Sequence, residues 1–143
     1  MSIFDQLGQR PPAAELLDWR FVDFDDSENR IRVSFDGHHR FTNPSGFLQG
    51  GFLCAMLDEA MGCVITASTS ASLFPTTISL SVDFIRPARP GRIFGEGRIT
   101  SMGKTVAFIE GKLFDEQDRL LARSTASSKL VPLDPSWIRP SPA

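Results

Sequence analysis

At 143 residues the chain is long enough for one domain with its own core and too short for two. A hydrophobic share of 41% and a charged share of 22% exclude the disordered class. A formal net charge of -2 provides no basic field to gather phosphate backbones, so nucleic acid is not an expected partner.

The N-terminus, MSIFDQLGQRPP, sets Asp5 among its apolar residues and has no basic region leading a hydrophobic run. It does not read as an export signal, and a cytoplasmic location is expected. Ile3 to Leu7, and Ala13 to Trp19 after the Pro11-Pro12 breaker, predict two short helical turns. Arg20 to Phe24 and Arg30 to Phe35 alternate polar and apolar residues with period two, which predicts strands, and Asp25, Asp26 and Ser27 predict the hairpin turn between them. Gly37 to Gly46 reads as a loop.

Gly50 to about Ala67 contains no proline and predicts a helix. Its large apolar residues point all round a 3.6-residue repeat, so burial on nearly every side is expected. Its only charges, Asp58 and Glu59, interrupt the best candidate for a bilayer crossing, and no membrane partner is expected. Cys54 and Cys63 lie about 13 Å apart on that helix, beyond disulfide reach, and read as reduced thiols. Thr76 to Ile85, Arg92 to Ser101, Thr105 to Phe114 and Leu120 to Val131 then predict four strands, with separators RPARPG, MGK and DEQDR short enough for an antiparallel meander.

The plan is α+β, an antiparallel six-stranded sheet wrapped around one long central helix. Residues 1–131 form one domain, with 1–19 as its helical N-terminal segment, and 132–143 form a proline-rich tail. An exposed sheet edge invites pairing with a second copy of the chain, so a homodimer is expected.

Asn43, Gly46, Leu48-Gln49-Gly50-Gly51, Leu57-Asp58-Glu59-Ala60, Thr77, Asp83-Phe84-Ile85-Arg86-Pro87-Ala88 and Met102-Gly103-Lys104-Thr105 form an ordered set. With these markers the sequence resembles the hotdog-fold acyl-CoA thioesterases of the phenylacetate-degradation type. The resemblance implies hydrolysis of an acyl-CoA to free acid and coenzyme A, without metal or other cofactor. It also implies a dimer or dimer of dimers whose sites lie between subunits, one offering the glycine pair and the other the helical acid. Gln49 stands where the family usually has histidine.

The chemistry agrees with those positions. A thioester carbonyl gains negative charge on attack, and the Gly50 N-H at a helix N-terminus is placed to receive it. Asn43 can add an amide hydrogen bond to the carbonyl or hold its loop closed. Asp58 is eight positions further on, about 12 Å along the helix, which argues for a site shared between two chains. There it can activate water as a base or attack the thioester itself. By resemblance Thr77 orients the water. Gln49 can hydrogen-bond near the leaving thiol but cannot deliver a proton as histidine can. Glu59, about 100° further round, reads as a polar or salt-bridging residue.

For the coenzyme A half, Arg86, Pro87, Arg89, Gly103, Lys104 and Thr105 are the expected contacts, with Gly51 and Phe47 nearer the thioester. Phe47, Phe52, Met56 and Met61 are candidates for the acyl pocket. Two rival readings stand beside this one. His39 with Asp58 would make a dehydratase or hydratase pair, although His39-Arg40-Phe41 lacks that class's His-Phe-Pro. A hotdog dimer with a disabled site would bind acyl-CoA without turnover.

Overall fold

Alternating side chains place six strands in one antiparallel sheet in the computed structural model, which describes residues 2–7, 10–134 and 136. Two short helices, α1 (Ile3–Gln6) and α2 (Pro12–Leu16), precede strands β1 (Arg20–Asp25) and β2 (Arg30–Gly37). A 3₁₀ turn (His39–Phe41) leads to the long helix α3 (Gly50–Ser68). Strands β3 (Leu73–Phe84), β4 (Gly91–Met102), β5 (Val106–Phe114) and β6 (Leu120–Pro132) complete the sheet.

The strand order is β1-β2-β4-β5-β6-β3, so the expected four-strand meander holds only from β4 to β6. β3 pairs with β6, from Leu73 opposite Pro132 to Phe84 opposite Ala122, and forms an edge. The RPARPG link is a crossover and not a tight turn. The N-H groups of Ile85 and Arg86 donate to the Leu121 carbonyl, and Leu48 N-H donates to the Ala88 carbonyl, which draws this link across the sheet end. The place beside β4 belongs to β2.

The sheet admits α3 closely because β4 and β5 carry glycines at the crossing. A Cβ at Gly97 would run into the Ala60 carbonyl, and one at Gly111 would sit 3.0 Å from Met61 Sδ. Met56, Leu57, Val64 and Ile65 of α3 then pack fully buried with Ile31, Val33, Phe35 and Ile109 of the sheet. Full burial of each such side chain contributes about 1.5–3 kcal/mol.

Burial on nearly every side does not hold for α3 within one chain. Gly51, Ala55 and Asp58 are exposed, and their spacing of four and then three places them on one helical stripe. By length and composition α3 would pass as a membrane span, so Asp58 and Glu59 do not disqualify it. Its packing against the sheet accounts for its apolar character instead.

The second N-terminal helix stops at Leu16, short of Trp19, because Asp18 takes a left-handed backbone (φ 48°) and turns the chain into β1. Phe4 meets the Trp19 ring edge-on at 4.9 Å, which ties α1 to the body. Arg92 fixes the Asp18 corner: Nη1 donates to Asp18 Oδ2 at 2.8 Å, and Nε and Nη2 donate to Ser34 Oγ. Burial tends to raise the Asp18 carboxyl, but the Arg92 hydrogen bond and the charges of Arg20 and Arg92 prevail and hold it below its ordinary value. The domain also runs past 131, since β6 reaches Pro132 and Leu133 N-H donates to the Ser72 carbonyl. Beyond Asp134 and Ser136, the expected tail lies outside the described residues. Cys54 and Cys63 are both free thiols.

Candidate active site

The loop before α3 is closed by its own polar groups. Asn43 Oδ1 accepts from the N-H groups of Ser45 (2.9 Å) and Phe47 (3.2 Å), while Asn43 N-H donates to the Phe47 carbonyl. Of the two roles expected for Asn43, the oxygen performs loop closure. Gln49 occupies the N-cap position without a side-chain capping bond and is exposed. No hydrogen bond from the Gly50 or Gly51 N-H is formed among the described residues. Two donors at the positive end of a 19-residue helix are therefore open to an acceptor.

The two glycines differ in surroundings. A Cβ at Gly50 would lie 3.0 Å from the Phe84 ring, so the end of β3 presses on the first turn of α3. At Gly51 no described residue lies within 4 Å of that position.

Two turns further along α3, Asp58 meets β3. Thr77 Oγ1 donates to Asp58 Oδ1 at 2.7 Å. A register shift between Thr77 and Ser79 interrupts the ladder beside it, as a bulge does where a strand re-aims a side chain. Asp58 forms no ion pair among the described residues.

Of the two roles expected for Glu59, polar or salt-bridging, the second has no ion pair to carry it among the described residues, and Glu59 makes no hydrogen bond there either. Burial pushes its carboxyl up from the ordinary value, and the neighbouring charge of Asp58 adds to the effect.

Asp58 and Thr77 border a cavity of about 260 Å³ whose remaining wall includes Phe4, Trp19, Glu59 and Phe74. Phe4 and Trp19 come from α1 and the corner before β1, which no local motif placed near Asp58. A tryptophan directly after two helical turns was the available signal. Phe52, Met56 and Met61 are absent from this wall: Phe52 stacks on Phe41 at 4.2 Å, and the methionines are core.

A second hollow, of about 430 Å³, contains Phe47, Arg86, Pro87 and Arg89. The Arg89 guanidinium lies 5.3 Å from the centre of the Phe47 ring, and neither Arg86 nor Arg89 forms an ion pair among the described residues. Arg119, at the same hollow, is tied to Asp115 at 2.8 Å. Gly103, Lys104 and Thr105 are elsewhere. Thr105 is hydrogen-bonded to Leu130 and Arg86 to Leu121, nine positions apart on β6, so roughly 30 Å separates the two groups within one chain. The structure does not bring them to one site in a single copy.

His38 Nδ1 accepts from Arg40 N-H and starts the 3₁₀ turn, while His39 is exposed and makes no hydrogen bond to Asp58. Among the described residues no three His, Cys, Asp or Glu side chains are grouped to hold a metal ion.

Comparison with known proteins agrees with this fold. A solved thioesterase candidate from Ralstonia eutropha, related to phenylacetic acid degradation, superposes with a TM-score of 0.83 at 27% identity, covering 90% of this chain and 99% of its own. A Streptococcus mutans protein solved bound to acetyl CoA gives a TM-score of 0.70 at 19% identity, covering 80% of this chain and 90% of its own. Among curated relatives, an esterase candidate from Saccharolobus solfataricus is 23% identical over 77% of this chain and 73% of its own length. The family model of the Thioesterase superfamily matches residues 45–122, more than half of the chain and the whole run from the glycine loop through α3 and β3 to β6. The chain belongs to the Thioesterase superfamily and has its hotdog fold.

Proposed function

We propose that the protein hydrolyses acyl-CoA thioesters at a site assembled from two copies of the chain, Asp58 and Thr77 coming from one and the N-terminus of α3 from the other. The observation that carries this reading is the 2.7 Å hydrogen bond from Thr77 to an Asp58 that has no ion pair among the described residues. Support for two copies comes from α3 itself, on which Gly50 and Asp58 are about 12 Å apart along one axis. β3 is an unpaired edge bearing exposed Phe74, Ile78 and Phe84, which suits pairing with a second β3. The acetyl CoA bound by the Streptococcus mutans neighbour supports acyl-CoA as the substrate class.

In the proposed reaction, Thr77 occupies one Asp58 oxygen and leaves the other to accept a proton from water. The water oxygen attacks the thioester carbon as that proton moves to Asp58. Charge on the carbonyl oxygen is met by the Gly50 N-H of the second copy. The C-S bond then breaks, the acid departs, and the coenzyme A sulphur takes a proton from Asp58 or solvent while the Gln49 amide hydrogen-bonds nearby. Arg86 and Arg89 are the cations best placed for coenzyme A phosphates at the α3 N-terminal end.

Free-thiol release from a panel of acyl-CoAs tests the reading. Asp58→Asn is expected to lower kcat by about 10²–10⁴, the range for losing a positioned base. A rate equal to wild type overturns the assignment. Single turnover in ¹⁸O-water tests the role of Asp58: label in Asp58 requires an anhydride opened by water at the Asp58 carboxyl carbon and so shows a nucleophile, whereas a base puts the label only in the released acid.

A further inference from the structure

The cavity beside Asp58 runs along α3. Asp58, Gly62 and Thr66 follow one another at intervals of four residues, which sets them on one side of the helix, and all three line the cavity. Strand β3 runs the other way along the opposite wall. Thr77 meets Asp58 through the 2.7 Å hydrogen bond, and Pro75, two residues earlier, faces Gly62. Leu133, whose N-H donates to the Ser72 carbonyl just ahead of β3, stands on the wall at the end away from Thr77. From Asp58 to Thr66 the helix rises about 12 Å.

Gly62 stands midway along this wall. Glycine inside a helix costs stability relative to alanine, so its presence there needs a reason. Packing supplies one at Gly97 and Gly111 of the sheet, where a Cβ would run into Ala60 or Met61. It supplies none at Gly62, where a Cβ would meet Pro75 Cγ at 3.6 Å, an ordinary contact. What the missing side chain leaves is width at the middle of the cavity, and a larger residue at 62 would stand between the Asp58 end and the Thr66 end. Two measures of size agree. An extended chain advances about 1.2 Å per bond, so about 12 Å takes roughly ten carbons. A cavity of about 150 Å³ holds the carbons of benzene, so one of about 260 Å³ holds roughly ten.

We propose that Gly62 is a specificity-determining residue that sets acyl length: by carrying no side chain it lets a straight acyl chain of about eight to ten carbons pass from a thioester at Asp58 to the Thr66 end of the cavity. The proposal rests on the hydrolase reading above. In that reading coenzyme A lies toward the glycine end of the second copy, so the acyl chain is the half of the substrate that enters here.

The test is kcat/KM, by thiol release, across straight acyl-CoAs from butyryl-CoA to lauroyl-CoA. In wild type it is expected to rise by up to about fourfold per added carbon as far as decanoyl-CoA, and no further at lauroyl-CoA. Gly62→Leu is expected to lower the decanoyl-CoA value by about tenfold or more and to leave butyryl-CoA within about twofold of wild type. Gly62→Ala is expected to shift the preference in the same direction by less. Its melting temperature should equal or exceed that of wild type, which separates a changed pocket from a lost fold. A wild-type kcat/KM that does not rise with chain length, or a Gly62→Leu variant that slows butyryl-CoA and decanoyl-CoA equally, overturns the role of Gly62 and leaves the hydrolase reading standing. If no acyl-CoA releases thiol, the hydrolase reading fails and calorimetry with the intact acyl-CoAs decides. Tighter binding of decanoyl-CoA than of butyryl-CoA, with the difference lost in Gly62→Leu, upholds the role of Gly62, and equal binding overturns it as well.

Discussion

Thr77 and Asp58 are nineteen positions apart and meet through a single hydrogen bond, so the pair can be dissected without disturbing the core. Thr77→Val keeps the β-branched shape and removes the donor. It is expected to lower kcat by about 10–100-fold with a smaller change in KM, measured by thiol release, while the melting temperature stays near that of wild type. Glu59 gives a prediction of the opposite kind. Its folded carboxyl is raised by burial and by the Asp58 charge, so between the ordinary value and the raised one the folded chain holds a proton that the unfolded chain has released. Stability therefore falls as pH rises through that window, and it stays lower above it. Glu59→Gln is expected to melt higher than wild type at neutral pH, and the two melting curves should converge below about pH 4.

At the scale of the elements, the crossing of α3 over β4 is the least forgiving contact. The backbone at Ala60 occupies the space a side chain at Gly97 would need, and neither a carbonyl nor a strand can swing aside as a flexible side chain does. Gly97→Ala is expected to cost about 3 kcal/mol or more, read from denaturant unfolding. Gly51→Ala is its counterpart. Open space surrounds that position in a single chain, and alanine is the better helix former by roughly 0.5–1 kcal/mol, so isolated chains should gain stability. A simultaneous loss of thiol release would show that the vacant side of Gly51 is filled by substrate or by a second copy.

For the whole molecule, the free edge of β3 is where the proposed second copy would pair. Ile78, the most exposed large apolar side chain of β3 at 63%, lies between Thr77 and Ser79 at the register shift. Ile78→Lys is expected to shift dimers toward monomers by light scattering and to reduce thiol release with them, because charged side chains are how sheet edges resist pairing. The strands and α3 were legible from alternation and from the absence of proline. The partner of β3 was not, because RPARPG has the composition of a turn and nothing local in it says that the strand before it crosses to β6. The open stripe on α3 was hidden for a similar reason: Gly51 and Ala55 are small, and small residues suit a tight interface as well as a core. Asp58 beside Thr77 was legible through the family resemblance, since each marker has a fixed place in the order. Trp19 and Glu59 were not, because they stand forty positions apart and meet only at the wall of a cavity that the folded chain forms.

That packing divides labour within the chain. The acid and its threonine are held by the helix and sheet, where a change of backbone would disturb the whole core, whereas Phe4 and the corner before β1 belong to a thin cover laid over them. Residues in this cover can be exchanged, and the helix and sheet that hold Asp58 and Thr77 beneath it need not move.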